Sequence, residues 1–450
     1  MATSLSRRQV LRMGAGALGL AATGTALLGC GLAGSGAPTG GGGGGGGKVV
    51  FLSSQFAPTA EAEKLRRTLL SGAGREVDFI PAATSAQFVD RVTAEAQAGQ
   101  GNVALLGGLQ GEFVTLASRG LLSDLSGLVG ELTDRKFTGE YLELAKVNGQ
   151  TVFVPWVSAS YLMAANKDAL RYLPAGADVQ KLTYEQLLAW LRAVQQGTGG
   201  QRFGLPASDK GLVKRFVQGY VYPSFTGGVN TTFRSPDAVA GWEWLRQAWA
   251  TANPQSVTYG FMQEPLLSGE VLVAWDHAVR LIEALRGRPD QFVVFPAPQG
   301  PKGLGFLPVV GGLAIPKNSP DVDGAKQLIR HLTKPETTAT TLRELAWFPP
   351  LEQADLPSDL PPGVASEAKA MQAMAGAENA LTSSLAVGLG AQAGDYDKVF
   401  VDSFSAIVLQ GKDIRATLDA QGKVLQDVLT KANAACWKPD PASQGVCQVA

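Results

Sequence analysis

Histidine and cysteine are scarce in this 450-residue chain: there are two histidines, His277 and His331, and three cysteines, Cys30, Cys436 and Cys447. That is too few ligands for a metal centre built on His or Cys, and the sequence calls for no metal and no cofactor. Neither sign of charge is in excess, with 39 basic and 39 acidic side chains, so no cationic surplus exists to track a nucleic-acid backbone. Beyond residue 30 no apolar run approaches the roughly 18 residues of a membrane-spanning helix. Gly-x-Ser-x-Gly and His-Glu-x-x-His are absent, and neither histidine adjoins a serine or cysteine, which removes the common hydrolase signatures. A glycoside hydrolase needs only two carboxylates, so that class stays open as an alternative. The composition that remains, 45% hydrophobic and 17% charged, is that of a globular chain, and its length predicts two domains.

The first 29 residues read as an export signal. Arg7, Arg8 and Arg12 precede an apolar stretch over 13–28 that four glycines interrupt, and no acidic residue is present. Ser6-Arg7-Arg8-Gln9-Val10-Leu11-Arg12 resembles a twin-arginine motif, and Leu27-Leu28-Gly29-Cys30 resembles a bacterial lipobox, with Cys30 as the lipidated residue. Residues 30–47 end in a run of glycines, Gly40 to Gly47. Such a segment behaves as a flexible tether with a reach of about 20–25 Å. The reading is a protein outside the cytoplasm, held to the membrane by lipid on Cys30. The glycine motifs inside 14–19 and 42–48 lack the strand and helix that a nucleotide site requires. With Cys30 lipidated, Cys436 and Cys447 remain to pair in an oxidising compartment.

From residue 48 the pattern alternates. Strands are predicted over 48–52, 76–80, 103–106, 151–156, 272–275, 292–295 and 309–315. Helices are predicted over 61–71, 85–98, 112–118, 183–195, 322–332 and 413–430, with one more starting at Ser235-Pro236-Asp237. Strands alternating with helices imply an α/β fold with mainly parallel sheets, in which ligands meet the carboxyl ends of strands.

The order of these elements resembles the extracellular solute-binding proteins of ABC importers, in the sugar-binding family that includes maltose-binding proteins. The similarity runs over about 48–435. It is carried by Gly120-Leu121-Leu122-Ser123-Asp124-Leu125, by Gly149-Gln150-Thr151-Val152-Phe153-Val154-Pro155-Trp156 with Asn166-Lys167-Asp168, by Ser268-Gly269-Glu270-Val271-Leu272-Val273-Ala274-Trp275, and by Gly311-Gly312-Leu313-Ala314-Ile315. The resemblance implies a two-lobe periplasmic-binding-protein-like fold of type II, each lobe a mainly parallel sheet flanked by helices. It places lobe one at 48–154 plus 297–335 and lobe two at 155–296 plus 336–450. It also implies a small solute held between the lobes, no catalytic chemistry, and delivery to the permease subunits of an ABC transporter.

Sugars present planar hydroxyls and apolar ring faces, which aromatic rings and carboxylates or amides recognise. Trp190, Trp242 and Trp249 have helical spacing and read as core. Trp156, Trp275 and Trp347 lie at strand ends or in loops and are candidate platforms, with Tyr161 and Tyr222 beside them. Gln55 follows the first strand, as ligand group or as helix cap. Gln110 and Glu112 flank Gly111 after the third strand, in a loop that by resemblance offers a carboxylate or amide. Asp276 follows Trp275, and Gly311 and Gly312 permit close approach by a ligand or by a neighbouring strand. The solute is expected to be a carbohydrate. A polyol, a glycerol phosphate ester or a polyamine is the runner-up.

Overall fold

A computed structural model describes residues 48–351 and 356–450. The export signal, Cys30 and the glycine tether lie outside the described residues.

In chain order the strands are β1 (Val49–Ser53), β2 (Val77–Pro81), β3 (Leu105–Leu109), β4 (Lys146–Val147), β5 (Gln150–Thr151), β6 (Val154–Ala159), β7 (Tyr161–Asn166), β8 (Phe203–Gly204), β9 (Val273–His277), β10 (Phe292–Phe295), β11 (Leu304–Phe306), β12 (Val309–Ala314) and β13 (Ala380–Thr382). Five of them form one sheet in the order β2-β1-β3-β12-β6, and four form a second in the order β10-β7-β9-β8. β1, β2 and β3 are parallel, and β12 is reversed between β3 and β6. In the second sheet β7 is the reversed strand, antiparallel to both β10 and β9, while β8 runs parallel to β9. Each sheet is therefore mixed, one reversed strand being set among strands of a common direction.

The strand sequences explain the layering. Successive residues of a strand point to opposite faces, and here both faces are apolar. Phe51, Leu105, Trp156 and Leu313 join one core of the first lobe, whereas Leu52, Leu106, Phe153 and Ala314 join the other. Helices cover both, so the strands carry continuous hydrophobic runs. The second lobe has one larger core around β7 and β9. Its helices start where the sequence supplies caps. Thr183 Oγ1 accepts from Gln186 N, and Ser235 Oγ accepts from Ala238 N ahead of Pro236 in the first turn.

The chain crosses between the sheets at three places. Ser160 alone separates β6 in the first sheet from β7 in the second. Leu307 and Pro308 separate β11 from β12. The third crossing follows the helix Pro335–Leu345, where Phe348 and Ser158 exchange backbone hydrogen bonds of 2.7 and 2.8 Å. The sheets thus divide the chain later than the boundaries expected from the sequence. β6 stays with the first lobe past residue 154. β11 pairs with β13, outside the first sheet, although it lies after residue 297. The helix Pro335–Leu345 packs on the first lobe, with Leu345 and Trp347 in the same core as Phe51 and Trp156.

Cys436 and Cys447 form a disulfide. The loop it closes carries Asp440, whose carboxylate accepts from the backbone N–H groups of Val229, Asn230 and Thr231 at 2.8–3.1 Å and from Thr231 Oγ1 at 2.6 Å. Removing that buried acceptor strands several donors at once, at about 1–3 kcal/mol each before relaxation. Asp440→Ala is expected to destabilise the protein by about 3 kcal/mol in urea unfolding. Reduction of the disulfide is expected to cost a similar amount, about 3 kcal/mol, from the released loop entropy.

Candidate ligand cleft between the lobes

The carboxyl ends of β1 and β3 meet at a buried carboxylate. Glu112 lies in the first turn of the helix Gln110–Ser118. Its Oε2 accepts from Ser54 Oγ and from Leu109 N, both at 2.7 Å. Gly108 makes room for it, because a Cβ there would lie 2.6 Å from that oxygen. Oε1 has no hydrogen-bond partner among the described residues, although Glu112 is only 6% exposed. Burial pushes this carboxyl above the ordinary range, and the hydrogen bonds from Ser54 and Leu109 oppose the rise. Gln55 supports the cluster by donating from Nε2 to Ser54 Oγ at 3.2 Å.

The same turn meets the second lobe. A Cβ on Gly111 would lie 3.1 Å from the carbonyl oxygen of Ala386. Beside it a small cavity is lined by Gln110, Leu144 and Val310 on one side and Thr382 to Leu385 on the other, with Pro308 at the crossing. It has space for about one water. Ser383 Oγ is buried without a partner there.

A seam of rings crosses the junction. Trp156 lies 5.8 Å from Phe51 and 5.2 Å from Phe56, Phe56 lies 5.6 Å from Trp347, and Trp347 lies 5.7 Å from His277 of the second lobe. His277 meets Tyr161 edge-on at 5.1 Å, and Tyr161 stacks on Trp275 at 4.9 Å with 4° between the planes. Phe56 sits at φ 58°, a left-handed conformation that is an outlier for a bulky side chain. The ring contacts hold it there. The indole N–H groups sort the tryptophans. Those of Trp190, Trp242 and Trp244 donate to Ala169 O, Tyr222 Oη and Tyr184 O. Those of Trp156, Trp275 and Trp347 are buried and have no acceptor among the described residues.

Burial disfavours charge on two groups of the junction. Burial holds the His277 imidazole down to about 3, with the Arg280 charge acting in the same direction. Burial pushes Asp276 up to about 7, against the pull of Arg280 and of two backbone donors.

Several residues expected at the ligand have other work. Trp156 is 1% exposed and Trp275 is fully buried, so neither is an open platform; β6 continues the first sheet and turns Trp156 into its core, while Tyr161 covers Trp275. Tyr222 lies in the second-lobe core, where its hydroxyl donates to Phe233 O at 3.0 Å. Two positions earlier on the helix, and so on a different face, Tyr220 reaches the crossing instead, 3.0 Å from Ser160 Oγ. Asp276 accepts from Met262 N at 2.9 Å and His277 N at 2.8 Å, a structural role. Gly311 and Gly312 serve the sheet, since a Cβ on Gly312 would lie 2.2 Å from the Phe153 ring. Of the other expected residues, Gln55 and Glu112 share the cluster at the end of β1, Gln110 lines the small cavity, and Tyr161 and Trp347 belong to the ring seam. Phe56 in that seam and the segment from Thr382 to Leu385 at the cavity were not singled out by the sequence. The only signal in that segment was its Ser-Ser pair after a short strand.

The profile of the bacterial extracellular solute-binding proteins matches residues 72–339, well over half of the chain. The chain belongs to that family. No curated protein matches it in sequence. Solved structures of the same fold include maltose-bound MalE3 of T. maritima, at 20% identity and a TM-score of 0.69 over 85% of this chain and 100% of that one. UgpB from Mycobacterium tuberculosis, in complex with glycerophosphocholine, aligns at 18% identity and a TM-score of 0.65 over 86% and 99%. A solute-binding protein from Thermotoga lettingae bound with α-D-tagatose aligns at 16% identity and 0.66 over 85% and 99%. At these identities the likeness establishes the two-lobe fold, and family membership places the solute-binding body outside the cytoplasm.

Trp156→Ala is expected to cost about 3–5 kcal/mol of stability in chemical denaturation, the price of a large core cavity. A melting curve unchanged by the substitution would return Trp156 to the cleft surface.

Proposed function

We propose that this solute-binding protein captures a neutral carbohydrate between its lobes and passes it to the permease of an ABC transporter, held at the membrane by lipid on Cys30. The observation that carries the solute class is Glu112. One oxygen is fixed by Ser54 and Leu109, and the other is buried and unpaired at the turn that meets the second lobe. A sugar hydroxyl is the donor that such an oxygen lacks, and a charge-assisted hydrogen bond to it is strong. Aromatic rings on both sides of the junction suit the apolar faces of a sugar.

Capture requires motion, because the lobes meet at Gly111 and the adjoining cavity holds about one water. Separation about the three crossings parts the ring seam between Trp347 and His277. Each lobe then offers a ring, with the Tyr161–Trp275 stack supporting His277 from behind, and closure around the solute restores the seam with a sugar inserted. No bond need be made or broken. Asp276, the buried carboxyl nearest the junction on the second lobe, has both oxygens committed to backbone N–H groups. It does not serve as the second acid of a hydrolase pair.

Titration calorimetry with glucose, maltose, maltotriose and tagatose is expected to give heat with at least one sugar. Glu112→Gln should weaken that binding at least about tenfold. Binding of glycerophosphocholine or a polyamine in place of every sugar would overturn the solute class. Mass spectrometry of the exported protein is expected to find an acylated N-terminal cysteine at Cys30. A mature chain beginning elsewhere would remove the anchor.

A further inference from the structure

The most deeply buried unpaired carboxyl in the protein lies away from the cleft, behind the third crossing. Glu367 is fully buried on the helix Pro362–Ala375, and neither of its oxygens has a hydrogen-bond partner among the described residues. Carboxyls in such surroundings are rare and call for a physical reason. That helix lies against the helix Ala278–Gly287 at close range, since a Cβ on Gly363 would lie 2.8 Å from the Leu285 backbone. Glu367 is one turn beyond Gly363, on the same face, and Arg286 follows Leu285. Arg286 is the one charged group that acts on Glu367 appreciably.

The Arg286 guanidinium is engaged elsewhere. It donates to the carbonyl oxygens of Arg343 at 2.6 Å and Glu344 at 3.1 Å. These carbonyls end the helix Pro335–Leu345, which packs on the first lobe and is tied to it by an ion pair of 3.7 Å between Glu344 and Lys64. A cation at a helix C-terminus is favourable, and this one reaches across from the second lobe. Its Nε is buried without an acceptor. Besides an ion pair of 3.8 Å with Glu283 on its own helix, this cation therefore has two claimants from other elements, a helix end on the first lobe and a buried carboxyl on the second.

We infer that Arg286 couples lobe closure to proton uptake: closing commits its guanidinium to the Arg343 and Glu344 carbonyls and leaves Glu367 protonated, and opening returns it to an ionised Glu367. The proton balance is explicit. The closed arrangement holds one proton on Glu367, and opening releases it to solvent as the Arg286–Glu367 ion pair forms. Burial raises the Glu367 carboxyl well above the ordinary range in the closed arrangement, and the Arg286 charge opposes this. The sign follows: the closed form binds the extra proton, so rising pH favours opening. The elements packed against the Glu367 helix offer few rivals. The helix Ala278–Gly287 carries Arg280, Glu283 and Arg286, and Lys369 lies on the helix of Glu367 itself. Of the strands, β7 brings the Tyr161 phenol, and β10, β11 and β13 bring no titratable side chain.

The test needs no solute, so its outcome is independent of which solute the cleft takes. Spin labels at cysteines replacing the exposed Glu63 and Glu264, one on each lobe, report lobe separation by pulsed dipolar EPR on the full chain in detergent between pH 5 and 9. The ratio of open to closed is expected to rise by about tenfold per pH unit through the titration of one proton. Glu367→Gln, a neutral mimic of the protonated acid, should abolish that slope and keep the lobes closed. Glu367→Met serves the same purpose should the amide disturb folding. Distances that do not change with pH in the parent, or a slope retained in the Glu367 variants, would overturn the inference.

Discussion

Ser160 is the only residue between a strand of one sheet and a strand of the other, and its hydroxyl binds the crossings to one another. It donates to Leu307 O at 3.0 Å, on the second crossing, and with its proton so placed it accepts from Tyr220 Oη at 3.0 Å. The phenol also lies 3.2 Å from Tyr161 N, the first residue of β7. Two chain crossings and a second-lobe helix thus converge on one buried serine. A hinge built this way can bend while its strands keep their register, because the contacts that define it are hydrogen bonds at a point. The cleft is the consequence. Loops at the carboxyl ends of β1 and β3 lie opposite whatever the crossings bring across, namely the ends of β7 and β9 and the segment after β13.

Polar satisfaction is uneven across the molecule. In the second lobe Trp190, Trp242 and Trp244 place their N–H groups on acceptors, as buried donors should, whereas Trp275 does not. Around the junction, Trp347 Nε1, Glu112 Oε1 and Ser383 Oγ lack partners, each at a cost of about 1–3 kcal/mol if nothing else met it. Trp156 and Trp275 flank them in the same condition.

Charge is handled in the opposite way. Ionisable groups at the junction are buried until they are neutral, as with His277, or are engaged by backbone donors, as with Asp276. A group held neutral costs less to desolvate than a charged one when the lobes close. Where a charge does span the lobes, at Arg286, it meets a helix end and lies beside a carboxyl that cannot share it without ionising.

The sequence by itself determined the type and order of those elements with strong local periodicity, caps and turns, whereas β7 and the helices Ala278–Gly287, Pro335–Leu345 and Pro362–Ala375 were not among them. The run 292–295 and the helix 322–332 were legible to the residue. It also separated Trp190 and Trp242, at helical spacing, from Trp156, Trp275 and Trp347, a division the indole hydrogen bonds repeat. Tertiary structure alone decided on which side of a sheet each ring falls and what covers it. Trp156 and Trp275 were expected at strand ends, but β6 runs on to Ala159 and β9 to His277, so both lie inside strands and are buried by the layers that cover them. Gly311 and Gly312 looked equally suited to a ligand or a neighbour, and only the Phe153 ring settles which. Glu112 required Gly108, Ser54 and Leu109 to be seen together, groups up to 58 positions apart. Such long-range pairings carry no local pattern, since they arise from topology and from the shape that packing leaves.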